Sequence, residues 1–131
     1  MTNREVLCAY RTAVLDLQEL ELALARTGSV GQPRGIQGIR LDAMHGTNHP
    51  AAAALQAAEG IQEMIDRKRD EMAQLSGPVF TMLTSITDPK TFMVIQAYYL
   101  YAETDSNIAE NLCMSRCRIN QIRNQFLAQV S

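Results

Sequence analysis

The chain has no tryptophan and few aromatic residues, which make up 5% of its 131 residues. A core built from this sequence must therefore be mainly aliphatic, and the 47% hydrophobic content is enough to form one. No segment approaches the roughly 20 consecutive apolar residues that a membrane-spanning helix needs, and the first residues do not resemble a secretory signal. We therefore expect a cytoplasmic protein that does not enter membranes.

Cysteine and histidine are also scarce, with three and two residues respectively. An odd number of cysteines does not suggest a disulfide framework, and Cys113 and Cys117 alone cannot supply the full ligand set of a structural zinc site. His45 and His49 are separated by Gly46, so we place them in a loop rather than on a metal-binding helix. The acidic residues and histidines form no recognisable catalytic arrangement. We expect no metal, no cofactor and no enzymatic activity.

The formal net charge is −2, which argues against a chain that binds polyanions over its whole surface. The charges are unevenly distributed, however, because residues 111–131 contain three arginines and no acidic residue. Three arginines provide few phosphate contacts, so a monomer should bind DNA weakly. Useful affinity would require a dimer or a partner protein.

Residues 105–124 have the pattern of two short helices joined by a sharp turn. Apolar side chains occupy the positions that such a pair must bury: Ile108, Ala109, Leu112, Met114, Ile119 and Ile122. Ser115 can cap the second helix, because its hydroxyl can accept a hydrogen bond from a free amide in the first turn. Cys113 stands at the turn position that glycine usually occupies. The segment therefore predicts a helix-turn-helix.

The remaining face of the second helix is polar and carries no acid. Its candidate DNA-binding residues are Ser115, Arg116, Cys117, Arg118, Asn120, Gln121, Arg123 and Asn124. Arginine, asparagine and glutamine can form paired hydrogen bonds with base edges in the major groove of DNA. We therefore expect this helix to contact double-stranded DNA. The alternative is a C-terminal helical hairpin that only packs on the rest of the chain.

The N-terminal half predicts two long helices, the first from Thr2 or Asn3 to Arg26 and the second from Pro50 to about Leu75. Gly28 should end the first helix, and residues 28–49 should form a loop with a turn at 32–35 and a short helix at about 39–44. Seam positions repeat at alternating spacings of four and three, typical of coiled coils: Val6, Tyr10, Ala13, Leu17, Leu20 and Leu24, then Ala54, Ala58, Ile61, Ile65, Lys68, Met72 and Leu75. We expect a helical hairpin that forms a homodimer.

The C-terminal half begins after a predicted break at Ser76-Gly77-Pro78. A short helix at 79–86 should follow, and Asp88 should then cap a helix that starts at Pro89 and ends near Tyr101. The predicted fold class is all-α, with a helical hairpin in domain 1–76 and a compact helix-turn-helix domain in 77–131.

From Ile86 onward the chain resembles region 4 of bacterial sigma factors, and more closely the ArpU-type phage transcriptional regulators. The matching positions are Asp88-Pro89, Val94-Ile95, Tyr98-Tyr99-Leu100, Ile108-Ala109-Glu110-Asn111-Leu112 and Ser115. The N-terminal half adds a weaker similarity through the Pro33-Arg34-Gly35 segment between two long helices. The chain departs from the family pattern where Tyr98 replaces a common arginine and where Ala102 and Cys113 replace glycines.

The resemblance implies control of phage or prophage genes through promoter DNA in a bacterial host cell. By the same resemblance, bases would be contacted by Arg116, Cys117, Asn120 and Gln121, and phosphates by Arg118 and Arg123. Ser115 would serve either purpose. One alternative is a helical adaptor that docks on RNA polymerase or another phage protein, which the acidic balance favours. Another is a DNA-packaging component that joins a DNA-binding helix pair to an oligomerising coiled coil.

Overall fold

The computed structural model describes residues 1–31 and 49–130, and the side chains within 1–27 and 52–130. All regular structure in these ranges is helical, which confirms the predicted all-α class. The helices are α1 (Asn3–Gly31), α2 (His49–Thr84), α3 (Pro89–Ile95), a π-helical turn (Gln96–Leu100), α4 (Asp105–Leu112) and α5 (Arg116–Val130). None of the helices in the described ranges is long and apolar enough to cross a membrane.

The first helix extends past its predicted end. It continues through Gly28 to Gly31, so the predicted stop at Gly28 is wrong. A glycine lowers helix propensity but does not by itself end a helix. At the other end of the predicted loop, His49 is the first residue of α2 rather than a loop residue. The predicted turn at 32–35, the short helix at 39–44 and His45 lie outside the described residues.

The second helix also extends past its predicted end, because α2 runs without interruption through Gly77 and Pro78 to Thr84. The predicted break there and the separate helix at 79–86 are wrong. Val79 has no exposed surface, and Met82 and Leu83 are almost fully buried. Packing of this last part of α2 therefore offsets the backbone hydrogen bond that a proline inside a helix cannot make.

The chain divides into two compact units, one formed by residues 1–15 and 70–131 and the other by residues 16–69. This division differs from the predicted domains 1–76 and 77–131. The reason lies in α1, whose first turns bury Leu7, Tyr10 and Val14 in the same apolar cluster as residues of α2 and α5. We refer to these two parts as the terminal unit and the central unit.

The terminal unit contains two apolar clusters. The larger one joins the first turns of α1 to later helices and includes Val6, Leu7, Tyr10, Val14, Val79, Met82, Leu83, Ile95, Tyr99, Ala102, Phe126 and Leu127. The smaller one consists of Val94, Ile108, Ala109, Ile119 and Ile122. Most of these side chains are aliphatic, as the composition predicts. Together the clusters fix α5 against α3 and α4.

The central unit contains α1 from residue 16 onward and α2 as far as residue 69. Every predicted seam position of the chain is buried or half-buried, including Lys68, whose amine lies 3.3 Å from a carboxylate oxygen of Asp16. A second ion pair joins Arg69 to Glu21 at 3.7 Å. The heptad pattern therefore predicted positions that are at least partly buried, but it missed Leu7 and Val14, which are also buried. The hairpin and its dimer remain predictions.

Candidate nucleic-acid interface

A left-handed residue forms the turn between α4 and α5. Cys113 has φ 55° and ψ 44°, in the region that glycine adopts without strain. The amide of Cys113 donates to the Glu110 carbonyl, and the amide of Met114 donates to the Ala109 carbonyl at 2.9 Å. These two bonds form a Schellman motif, which satisfies carbonyls that a helix end leaves free. Cys113 thus stands at a turn position where the backbone needs a positive φ, which is why glycine is the usual residue there.

Hydroxyl caps begin both helices of the pair. The backbone amide of Arg118 donates to Oγ of Ser115 at 3.1 Å, which confirms the predicted cap. Oγ1 of Thr104 accepts from the Asn107 amide at 3.2 Å and caps α4 in the same way. Local hydrogen bonds therefore set the start of each helix and the end of α4.

The apolar positions predicted for this pair are inside the fold. Ile119 has no exposed surface, Ile108 is 1% exposed, and Ala109 and Ile122 are also buried. Leu112 and Met114 are half-buried against the same cluster. Val94 of α3 is fully buried among them, so a third helix supports the pair. The remaining side of α5 is left for the polar side chains.

Seven of the eight candidate DNA-binding residues are exposed: Ser115, Arg116, Cys117, Arg118, Asn120, Gln121 and Asn124. Among the described residues, no hydrogen bond or ion pair involves the Arg116 side chain. Arg118 makes one long side-chain contact, from its Nη1 to Oε1 of Gln121 at 3.5 Å. These side chains remain available to an external acceptor.

Unlike the other seven candidates, Arg123 is mostly buried, and it is bonded to other side chains of the fold. Its Nη2 lies 2.8 Å from Oδ2 of Asp105 and 2.8 Å from Oδ1 of Asn120, and only 13% of the side chain is exposed. Its guanidinium carbon lies 3.9 Å from the ring centroid of Tyr98. Arg123 therefore ties α5 to α4 and to the π-helical turn. This packing role differs from the phosphate contact predicted for Arg123.

A second arginine, Arg11 of α1, also packs against the ring of Tyr98. The guanidinium carbon of Arg11 lies 4.1 Å from the same ring centroid. Arg11 donates from Nε to the carbonyl of Tyr98 at 3.1 Å and from Nη2 to the carbonyl of Glu103 at 3.3 Å. Tyr98 thus provides an aromatic surface for two cations. These contacts join α1 to the π-helical turn and to the residues just after it.

The π-helical turn replaces the end of a helix that was predicted to be regular to Tyr101. The amide of Tyr101 reaches the carbonyl of Gln96 at 3.2 Å, and the chain then turns at Ala102 with φ 53°. The wider turn adds a residue to the helix and is typical of functional or strained sites. Ala102, like Cys113, is a non-glycine residue with a positive φ.

Two ionisable groups near this surface have shifted pKa values. The pKa of Asp88 is lowered, first by the hydrogen bond from the Thr91 amide, then by the Thr91 hydroxyl, with smaller contributions from Lys90 and Arg118. Asp88 is thus the N-cap of α3, as predicted, with Oδ2 3.0 Å from the Thr91 nitrogen. Burial, with a smaller effect of Cys8, raises the pKa of Tyr99.

The described part of the chain contains no group of three His, Cys, Asp or Glu side chains that would hold a metal ion. Cys8, Cys113 and Cys117 are exposed free thiols. No protein-family model, curated protein or solved structure matches the chain. The likeness to sigma region 4 and to ArpU-type regulators therefore stays a prediction from the residues quoted above.

Proposed function

We propose that the chain is a sequence-specific DNA-binding transcription regulator of phage or prophage genes, which places α5 in the major groove. The observation that supports this most is the exposed side of α5, which follows a tight turn and carries arginine, asparagine and glutamine without any acid. A helix that follows a sharp turn and enters the major groove with its first residues is how helix-turn-helix proteins read DNA.

The contacts of each side chain suggest its role in this proposal. Arg116 is exposed and has no described partner, so it can donate in pairs to a guanine edge. Asn120 and Gln121 each use one oxygen within the fold and keep their amide hydrogens for bases or phosphates. Arg118, near the capped end of α5, would contact a phosphate, which positions the protein without specifying sequence.

The first test selects binding sites from random duplex DNA and sequences them, followed by a salt series on the enriched site. We expect one enriched motif with an affinity that falls as salt rises, because phosphate contacts release counterions. Two half-sites at a fixed spacing would indicate the proposed homodimer. Failure to enrich any motif would contradict DNA reading and would favour the adaptor that docks on RNA polymerase.

The second test is charge reversal at Arg118. Arg118→Glu should abolish binding to the enriched site and leave the far-ultraviolet circular dichroism unchanged, because the side chain is exposed and lightly bonded. Arg67→Glu is the matched control, since Arg67 is exposed on α2 in the central unit. Equal losses in both variants would mean that only general charge matters. Arg123 is a poorer test, because its reversal would break the contact with Asp105.

A further inference from the structure

A cavity of about 330 Å³ lies in the terminal unit between the first turns of α1, the π-helical turn and α5. Three arginines line it, Arg4 and Arg11 from α1 and Arg123 from α5. The volume is at the lower end of the roughly 300–1,000 Å³ that small-ligand pockets have. A molecule of a few heavy atoms would fit, whereas a large cofactor would not.

The arginines give the lining of this cavity a positive charge. No Asp or Glu side chain is among its lining residues. Arg123 has a carboxylate partner in Asp105, but no described ion pair involves Arg4 or Arg11. The Arg11 bonds go to backbone carbonyls, which leave its charge uncompensated. Like charges around a shared cavity repel one another, and an anion within it would offset that repulsion.

The cavity also has hydrogen-bond donors without acceptors. Nε of Arg123 and Oδ1 of its ion-pair partner Asp105 are both buried without a hydrogen-bond partner, and of these two residues only Arg123 lines the cavity. A buried donor left unpaired costs free energy, and native proteins leave few of them. The bonds described for Arg11 do not use its Nη1. Thr12 and Asn124, whose side chains carry hydrogen-bond donors, line the same space. Donors that lack acceptors call for a ligand rich in oxygen.

We propose that this cavity is a binding site for a small oxyanion, the phosphate or carboxylate group of a free molecule. The planar guanidinium group matches both kinds of oxyanion with paired, charge-assisted hydrogen bonds. The proposal does not rest on DNA binding, although Arg123 and Asn124 are also among the candidate DNA contacts. Its ligand is held by α1 and α5 together, so binding would strengthen the contact between these helices.

The test is a nuclear magnetic resonance titration of the full chain with inorganic phosphate and, separately, with succinate. Sodium chloride keeps the ionic strength constant, and no DNA is present. We expect saturable shifts of amide resonances at residues 4–12, 98–99 and 123–127. A stronger response to phosphate identifies a phosphate group as the preferred ligand, and a stronger response to succinate identifies a carboxylate. Both results support the oxyanion site, and no saturable response to either overturns it.

Substitution of Arg4 provides the matched comparison. Arg4 is exposed and lies outside the two apolar clusters, so Arg4→Gln should fold normally. We expect it to weaken binding of the preferred anion about tenfold, since a charge-assisted bond is lost. Arg67→Gln, on the central unit, should bind like the parent chain. Equal affinity of Arg4→Gln and the parent, or equal loss in both variants, overturns the proposal.

A separate titration with duplex DNA distinguishes the source of the anion. If the same cavity resonances respond to DNA but to neither phosphate nor succinate, the cavity contacts the nucleic-acid backbone, and the small-molecule site is wrong. If they respond to the small anions, the site holds whether or not α5 reads DNA. Failure of the site and failure of the proposed function are thus separate results.

Discussion

At the scale of single residues, Cys113 has a strained backbone with positive φ, at the turn position where glycine is usual. A side chain in the left-handed region costs free energy that glycine does not pay. Cys113→Gly should therefore raise the free energy of unfolding by roughly 0.5–1 kcal/mol, after allowance for the greater freedom of glycine in the unfolded chain. Urea denaturation would measure the change. Cys113→Ala is the control, because it removes the thiol and keeps the strained Cβ. Stabilisation by both variants would mean that loss of the thiol, and not relief of backbone strain, is the cause.

The raised pKa of Tyr99 predicts a loss of stability in alkali. Because folding holds this phenol in its neutral form, the unfolded chain releases the proton first as the pH rises above the ordinary value of about 10. The stabilisation is complete below that pH and is lost as the pH rises through the folded-state pKa. Tyr99→Phe should flatten the fall of the melting temperature in this range. Tyr101→Phe, at a residue that is 58% exposed, should leave the curve unchanged.

Residue roles were predictable where a local pattern defines them and not where distant residues meet. The caps at Asp88 and Ser115 follow from the residue type and the next few positions, and both are present. The contact of Arg123 with Asp105 spans the turn between two helices, and that of Arg11 with Tyr98 spans most of the chain. Such contacts depend on packing that the sequence does not display.

At the scale of helices, the continuity of α2 through Gly77 is the clearest departure from expectation. Gly77 precedes Pro78, whose Cδ crowds a Cβ on the preceding residue when that residue is helical. Gly60→Ala on the same helix meets open space beyond the helix backbone and should raise the free energy of unfolding by about 0.5–1 kcal/mol. Gly77→Ala should raise it less, because of the contact with the proline ring. Equal stabilisation by the two variants, in thermal melts, would contradict a helix that runs through Gly77 and Pro78.

The predicted helix stop at Gly28 and the predicted break at Ser76-Gly77-Pro78 were wrong for a physical reason. The cost of glycine and proline in a helix is local and can be estimated from the residue, whereas the burial that offsets it comes from the whole unit. Val79 and Leu83 lie just beyond Pro78 and are buried with residues of α1 and α5. The π-helical turn was missed for the same reason, since Gln96–Leu100 carries no local signal that distinguishes it from an α-helix.

At the scale of the whole molecule, self-association remains a prediction that the exposed apolar residues make testable. Leu22, Leu55 and Met64 of the central unit are each at least half exposed. In a homodimer through the N-terminal helices these side chains would be covered. Leu55→Asp should then convert the dimer to a monomer, because burial of an unpaired charge is costly. Light scattering at micromolar concentration would measure the mass.

The matched variant for this experiment is Gln56→Asp, which adds the same charge at the adjacent exposed position of α2. It should leave the dimer intact if Leu55 is the contact. A monomeric parent chain would contradict dimerisation itself, and DNA half-sites would then need another source of pairing. Helix content should stay constant in both variants, because neither residue is buried in the chain alone.

Only one of the two units contains the aromatic residues that give near-ultraviolet dichroism and fluorescence. Every tyrosine and phenylalanine lies within 1–15 or 70–131, and residues 16–69 contain none. Near-ultraviolet dichroism and tyrosine emission therefore originate only in the terminal unit, whereas the peptide signal comes from both. Melting followed by the two signals separates the unfolding of one unit from that of the whole chain without any added label. Coincident transitions would mean that the long helices couple the two units into one cooperative system.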